Sequence, residues 1–494
     1  MIKKSVKWLL GPLLFLVFTL APPLPYVQEA ARQVAAPSPK APQIAFGALA
    51  WIATWWVTEV VPLGLTGLIA AAMFSLLGFL SWTSALTSFT HPIIWIFIGG
   101  FVLSKAFRKW GVDKRAAGAV AKLYKGRNPA LAAFFIACLP AFTLTVTGSI
   151  TASASVVYPI ALSYLTSIKA SDKFMEATML ALGEAATSGA MLLLMSTPPN
   201  LIAKQVLEST LPGFKLTFFD WLIVGTPHAL FGLAISWLVV FKFLKVEEKE
   251  VAEPIRVSSE SRMSREEKLV VAVFLTALAL WMLPGALALA ASAYPSLETV
   301  SKTVSSYLPE AAPAVLAVIA LGLIRTEKGP LLTFQEIVEG IDWNVVFMFG
   351  GGLAMGLALD SSGFSRWIAL ALSSSTVLDV SSLSLIGALL GFLITFPASN
   401  TAAAIVSVPL IASLAKGAGV NPVAPVLSTA LACSISSALP STTPPMAIVY
   451  GSRKVKISNM FKVGIVSDLL RLIALIAAEP HFVRVLLAFK GLQT

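Results

Sequence analysis

Runs of apolar residues long enough to cross a bilayer recur from one end of this chain to the other, near 6–22, 44–60, 62–81, 93–110, 174–200, 219–244, 267–290, 311–326, 343–361, 424–450 and 462–487. Nothing else in the sequence constrains the fold so strongly. In hydrocarbon every backbone N–H and C=O must be satisfied within the protein, and segments of this length do so as helices. The chain is 57% hydrophobic and 12% charged, with a mean hydropathy of +0.83, more than a soluble domain needs. Its longest polar stretch, 245–267, is too short to fold alone, so no soluble catalytic or DNA-binding module is expected. The fold class this predicts is an all-α polytopic membrane protein with eleven spans.

The net charge of +11 reads as loop bias and not as a nucleic-acid surface, because Lys and Arg cluster between the apolar runs. The clusters Lys3/Lys4/Lys7, Lys105 to Arg127, Lys242 to Lys268, Arg325/Lys328 and Arg453/Lys454/Lys456/Lys462 fall on one side if all eleven runs span. That side is the cytoplasm, with the N-terminus inside and the C-terminus outside, in a cell (inner) membrane. Lys3, Lys4 and Lys7 before an apolar run and Ala21-Pro22-Pro23 mimic a secretory signal peptide. A retained first span is preferred, since the charge pattern is consistent only with it. Cys138 and Cys433 lie in apolar segments, and His91, His228 and His481 are far apart in sequence. No metal-ligand spacing or cofactor follows from them.

Two further segments, 128–165 and 380–413, are apolar but interrupted at their middles by Ser149-Ile150-Thr151 and Ser399-Asn400-Thr401. Each tripeptide is followed by a proline, Pro159 or Pro409, and later by Thr197-Pro198-Pro199 or Thr443-Pro444-Pro445. The duplication extends upstream: Phe97-Ile98-Gly99-Gly100 with Gly111 matches Phe349-Gly350-Gly351-Gly352 with Gly363. Glycines of this kind permit close helix approach, and the charged run Val112-Asp113-Lys114-Arg115 reads as an interfacial helix. Polar breaks deep in apolar sequence are tolerated where they line a cavity. Each interrupted segment therefore reads as two half-length helices meeting at a polar tip, a re-entrant hairpin. Under the charge-derived topology the two repeats are inverted, which is the architecture of carriers that bind their cargo between repeats. Helix N-termini at a tip suit an anion, and the carbonyls of helix C-termini suit a cation.

With these residues in view, the chain resembles the divalent anion:sodium symporter family of the ion transporter superfamily. The likeness runs through nearly its whole length, in Thr58-Glu59-Val60-Val61-Pro62-Leu63-Gly64-Leu65-Thr66, Phe349-Gly350-Gly351-Gly352-Leu353-Ala354, Ser399-Asn400-Thr401 and Thr443-Pro444-Pro445-Met446-Ala447-Ile448-Val449. The resemblance implies eleven spans, two re-entrant hairpins, a homodimer held by a scaffold, and a transport domain that moves as an elevator. It divides the chain into scaffold at 1–127, transport domain at 128–218, mainly scaffold at 219–377 with the cytoplasmic linker 245–267, and transport domain again at 378–494. It also implies that Ser399, Asn400, Thr401, Thr443 and Pro444, with Ser149, Thr151, Thr197 and Pro198, contact the anion. One sodium site would then use Thr395, Ala398, Asn400 and Thr442, and the other Thr145, Ser149 and Ser196.

The sequence departs from the family at Ile150, where an amide is expected, because an alkyl group neither ligates a cation nor donates to a carboxylate. Met446 stands where Thr-Pro-Pro is normally followed by Asn, whereas Asn200 keeps the amide in the first repeat. Glu184 occupies an apolar position of the family and is a candidate for coupling, by binding a proton or balancing a cation. Glu59 reads as a structural partner at a helix break. Asp360 and Asp468 read as snorkelling or locally paired groups, and Trp51, Trp55 and Trp56 as interfacial or scaffold residues.

The function expected is sodium-driven secondary transport of small organic dianions such as four-carbon dicarboxylates. Its partners are the anion, sodium, the lipid bilayer and a second copy of the chain. Exchange, proton coupling and carriage of an inorganic anion such as sulfate are alternatives. An anion channel would need a continuous polar pore, and an intramembrane hydrolase a Ser/Lys, Ser/His or paired-Asp spacing that the spans lack. No Gly-x-x-x-x-Gly-Lys-Ser/Thr motif is present, which leaves ion gradients as the energy source.

Overall fold

The protein is described by a computed structural model covering residues 4–124, 126, 128–246, 262–373, 378–396 and 399–492. The described residues are mostly helical, with one short ladder pairing Arg325–Thr326 and Gly329–Pro330. Eight helices among them are long and apolar enough to cross a membrane, or nine if the bent pair Pro295–Tyr307 and Ala311–Leu323, angled by 57°, is one span. This is an integral membrane protein. Every run expected to span falls on helix, but several are too short or too broken to meet that length test, among them Leu63–Leu76 and Val423–Ala432.

The runs at 174–200 and 424–450 are broken helices. The first consists of Asp172–Ser188 and Pro198–Thr210, the second of Val423–Ala432 and Pro444–Gly451. Proline explains where each second half begins: it lacks the N–H that a continuing helix requires, yet suits the first helical position, which Pro198 and Pro444 occupy. The interrupted segments 128–165 and 380–413 form helical hairpins, Pro129–Thr147 with Ile150–Ser167 and Val380–Thr395 with Asn400–Gly417. Each arm takes up about half of its segment, as expected. The arms run 19, 18, 16 and 18 residues, about 24–29 Å at 1.5 Å per residue. The polar tips mark the turns, and the helix caps formed there divide each segment near its middle.

The duplication seen in the sequence recurs in the backbone. Gly111 (φ 72°) ends the helix Pro92–Trp110, and Gly363 (φ 81°) follows the helix Trp343–Ser361. Each left-handed glycine lets the chain turn into a ten-residue helix, Val112–Ala121 or Phe364–Ser373. Of the linker at 245–267, residues 247–261 lie outside the described region, and from Arg265 the chain is already helical behind a Ser264/Glu267 capping box. Glu267 there pairs with Arg115 at 2.9 Å.

The N-terminal helix Lys4–Leu20 lies on Ala41–Thr58, where Trp8 and Trp55 meet edge to face at 4.9 Å and Gln43 donates to Phe18 O at 2.7 Å. Trp51 joins that aromatic cluster, and Trp56 is buried with its indole N–H on Leu63 O. Glu59 stands exposed at the left-handed end of the same helix. Asp360 is locally paired, accepting from Ser365 and from Lys416 at 2.9 Å. Asp468 is locally paired too, with Arg471 at 3.5 Å. It is completely buried, so snorkelling does not describe it.

Candidate functional site

Each hairpin tip is built as a helix start. Ser149 and Ser399 are N-caps whose hydroxyls accept from Ala152 N at 3.1 Å and Ala402 N at 3.3 Å. Ile150 and Asn400 are then the first helical residues. The exposed first turn of such a helix carries a partial positive charge and N–H groups suited to an anion. Thr151 in that turn is exposed, and Thr401 is half-buried. The tripeptides share no hydrogen bond with one another among the described residues. Gly148 (φ 90°) makes the first turn possible, and a Cβ there would touch Gly100 Cα and Met195 Cε at 3.3 Å.

A threonine ties each hairpin to the broken helix of its own repeat. Thr145 Oγ1 lies 2.9 Å from Gly189 O, and Thr395 Oγ1 lies 2.8 Å from Cys433 O. Gly189 and Cys433 are the C-caps of the first halves of the two broken helices, where carbonyls lose their helical partners. Thr395 also faces Asn400 Oδ1 at 2.9 Å, whereas Thr145 turns to Phe142 O at 2.7 Å. One hydroxyl has one proton, so each threonine serves one of its two acceptors at a time. The second tip thus gathers the oxygens of Thr395, Asn400 and Cys433, while Ile150 contributes none to the first. Ala398 lies outside the described residues.

Inside the breaks, Ser196 Oγ accepts from Leu193 N at 3.1 Å, and Thr442 Oγ1 donates to Leu439 O at 2.7 Å. Thr197 and Thr443 begin the second halves without a side-chain cap bond. Thr443 instead meets Thr187 of the first broken helix at 3.2 Å. Pro198 is half-buried and Pro444 exposed at these starts. The structure therefore joins Thr145 to the first break, Thr395 and Asn400 to the second, and one broken helix to the other.

Glu184 is fully buried in the first broken helix, and both of its oxygens are without a hydrogen bond among the described residues. It faces Ser467, Asp468 and Arg471 of the helix Ile457–Phe489, and Ser236 of Thr226–Leu244. Arg471, 3% exposed, sits one turn from Asp468 at 3.5 Å. Sequence reasoning passed over Arg471 entirely. An opposite-charge pair three residues apart in the middle of an apolar run was the signal that could have found it. A second buried pairing, Lys204 with Glu208 and Glu310, was also missed. Among the described residues no group of His, Cys, Asp and Glu could hold a metal centre, and both cysteines are buried and free.

A cavity of about 430 Å³ has Gln205, Ser209, Asp360, Pro409, Ser413 and Lys416 among its lining residues. Pro409 is nine residues beyond Asn400, about 14 Å along the helix. Ile202, Phe349 and Ile405 surround a much smaller space on the tip side of Gln205 and Pro409.

The sodium-dependent dicarboxylate transporter SdcS of Staphylococcus aureus strain USA300 is 28% identical over 461 residues, 88% of this chain and 85% of that protein. SdcS of strain MRSA252 matches with the same figures. Among solved structures, the Alcanivorax borkumensis YdaH transporter is 13% identical with a TM-score of 0.49, covering 81% of this chain and 88% of that one. The Neisseria gonorrhoeae efflux pump MtrF is 16% identical with a TM-score of 0.45, covering 80% and 82%. The citrate transporter family model, CitMHS, matches residues 53–432 and again 301–489. The protein is a transporter and not an enzyme, and it belongs to the citrate transporter family, in keeping with its resemblance to the divalent anion:sodium symporters.

Proposed function

We propose that this protein carries small organic dianions of the four-carbon dicarboxylate class across the membrane, driven by sodium. The observation that supports this best is the second tip, where the neutral oxygens of Thr395, Asn400 and Cys433 converge beside a helix N-terminus. Neutral oxygens suit a sodium ion that must be released again, and the adjoining N–H groups suit a carboxylate. The naming of SdcS as a sodium-dependent dicarboxylate transporter agrees with this reading.

In this proposal Ser149, Thr151, Thr197, Pro198, Ser399, Asn400, Thr401, Thr443 and Pro444 line the anion site. Thr145, Ser149 and Ser196 serve one sodium, and Thr395, Ala398, Asn400 and Thr442 the other. The hairpins are re-entrant and the repeats inverted. Segments 128–218 and 378–494 move as an elevator against a scaffold of 1–127 and 219–377. The scaffold holds a homodimer in the inner membrane, with the N-terminus cytoplasmic. Purified protein in vesicles tests the class: radiolabelled succinate should accumulate above its outside concentration under an inward sodium gradient and not under a potassium gradient. Equilibration without accumulation would indicate a channel, and counterflow alone an exchanger, and either would overturn the proposal.

A proton-coupled carrier is the second reading, and Glu184 is the residue that favours it. Its unpartnered carboxyl faces Asp468, Arg471, Ser467 and Ser236 and lies within electrostatic reach of Cys138. Two carboxylates against one guanidinium leave one excess negative charge, which a single proton removes. If Glu184 must be protonated for turnover, uptake falls as pH rises. Glu184→Gln, permanently neutral, should flatten that profile while still transporting. An unchanged rate and pH profile would dispose of the idea.

A further inference from the structure

The two breaks are equivalent in the repeat, but they are held from behind by different chemistry. In the first, Asn200 Nδ2 donates to Ala190 O at 2.8 Å and Leu193 O at 3.0 Å, bridging the turn between the helix halves. Trp221 adds a bond to Met191 O and Thr226 one to Leu192 O. All of these donors are neutral.

In the second break, Met446 occupies the position of Asn200, buried with its sulfur against Gly183. A thioether donates no hydrogen bond. Counted from the Thr-Pro-Pro triplets, the carbonyls matching Ala190 and Leu193 are Ser436 and Leu439. Thr442 Oγ1 reaches Leu439 O at 2.7 Å and stands 3.4 Å from Ser436 O, so its single proton replaces only part of what an amide supplies. The rest comes from the last helix. Asp468 accepts from Ser437 N at 2.7 Å and Ser437 Oγ at 2.8 Å, and Arg471 Nη2 approaches Ser434 O at 3.5 Å. A glycine permits this approach: a Cβ on Gly464, one turn before Asp468, would lie 2.4 Å from Ala438 Cα.

We propose that Asp468 and Arg471 are the positioning pair of the second break, doing there what Asn200 does in the first. They touch neither anion nor sodium. Asp468 fixes the turn at Ser437, and Arg471 neutralises Asp468 and completes the hold at Ser434. A carboxylate accepting two hydrogen bonds, one from a backbone N–H, is a firmer anchor than a neutral acceptor, and its burial is tolerable because the guanidinium is beside it. Thr442, in the turn so fixed, is assigned above to a sodium site, and the effect on transport rests on that reading. The bracing itself does not.

The test uses Asp468→Asn, Met446→Asn and the double variant in the full-length protein. Peptides covering 434–443 should exchange amide hydrogens roughly tenfold faster in Asp468→Asn, as expected for loss of a charge-assisted hydrogen bond. Adding Met446→Asn, which offers an amide to Ser436 O and Leu439 O, should slow the exchange again. The sodium concentration for half-maximal uptake should rise by roughly tenfold in Asp468→Asn and recover in the double variant. If Asp468→Asn does not fold, Asp468→Leu with Arg471→Met removes both charges at similar volume and should show the same fast exchange. Wild-type exchange over 434–443 in a folded variant, or no recovery with Met446→Asn, would overturn the bracing. Wild-type protein indifferent to sodium, with exchange altered as expected, would overturn the sodium reading instead.

Discussion

Asn400→Ala should raise the sodium concentration needed for half-maximal uptake by roughly one to two orders of magnitude and leave the protein folded. Asn400 is the one amide at either tip, because the twin position carries Ile150. Its Oδ1 faces Thr395 Oγ1 at 2.9 Å, and both side chains are buried. Alanine removes one oxygen from the cluster and leaves Thr395 with Cys433 O alone. An unpartnered or lost polar contact of this kind costs about 1–3 kcal/mol, which sets the expected range. The fold should survive, since the first repeat accommodates an alkyl side chain at the same first helical position. Asn400→Ile, which copies the twin, should behave like Asn400→Ala. Succinate uptake measured across a sodium titration checks both, and wild-type sodium dependence in either variant would remove Asn400 from the ion site.

Much of what positions this site is written locally, and local features were legible. Gly111 and Gly363 could be matched by spacing and proved to be left-handed helix ends, because a turn after a long apolar helix needs a residue free of a Cβ. Ser149 and Ser399 lie in polar interruptions and became N-caps, since a hydroxyl next to a helix start has a backbone N–H to accept from. What could not be read depends on contacts between distant segments. Thr145 was assigned to a sodium site by resemblance, but its partner Gly189 lies 44 residues on and is known only once the hairpin packs on the broken helix. Asp468 was undervalued and Arg471 passed over because a charge in an apolar run has several meanings, and only the fold shows Asp468 aimed at Ser437. Hydropathy marks which residues avoid water, while caps and prolines decide where a helix stops.

The crossing of Leu63–Leu76 with Trp343–Ser361 carries the largest expected effect on folding. A Cβ at Gly351 would lie 2.2 Å from Gly67 O and 2.3 Å from Gly67 Cα, and a Cβ at Gly67 would lie 2.4 Å from Phe347 O. Every obstructing atom is backbone, so no rotamer change relieves the clash and the helices must separate. In a membrane, helices associate largely through such close van der Waals contact, which falls away steeply with distance. Gly351→Val should therefore destabilise the protein by about 3 kcal/mol or more, the upper range for overpacking. Against a total of about 5–15 kcal/mol, that is enough to deplete the folded population markedly. Gly351→Ala should fail for the same reason, because its single added carbon is the one that clashes. Gly356, five residues on in the same helix, is the control: a Cβ there meets nothing within 4 Å. Gly356→Ala should be neutral or stabilising by up to about 1 kcal/mol through helix propensity. Size-exclusion profiles and thermal midpoints in detergent distinguish the two positions. A Gly351→Ala midpoint equal to wild type would mean that the helices can separate without cost, and the crossing would then not be what binds the first half of the chain to the second.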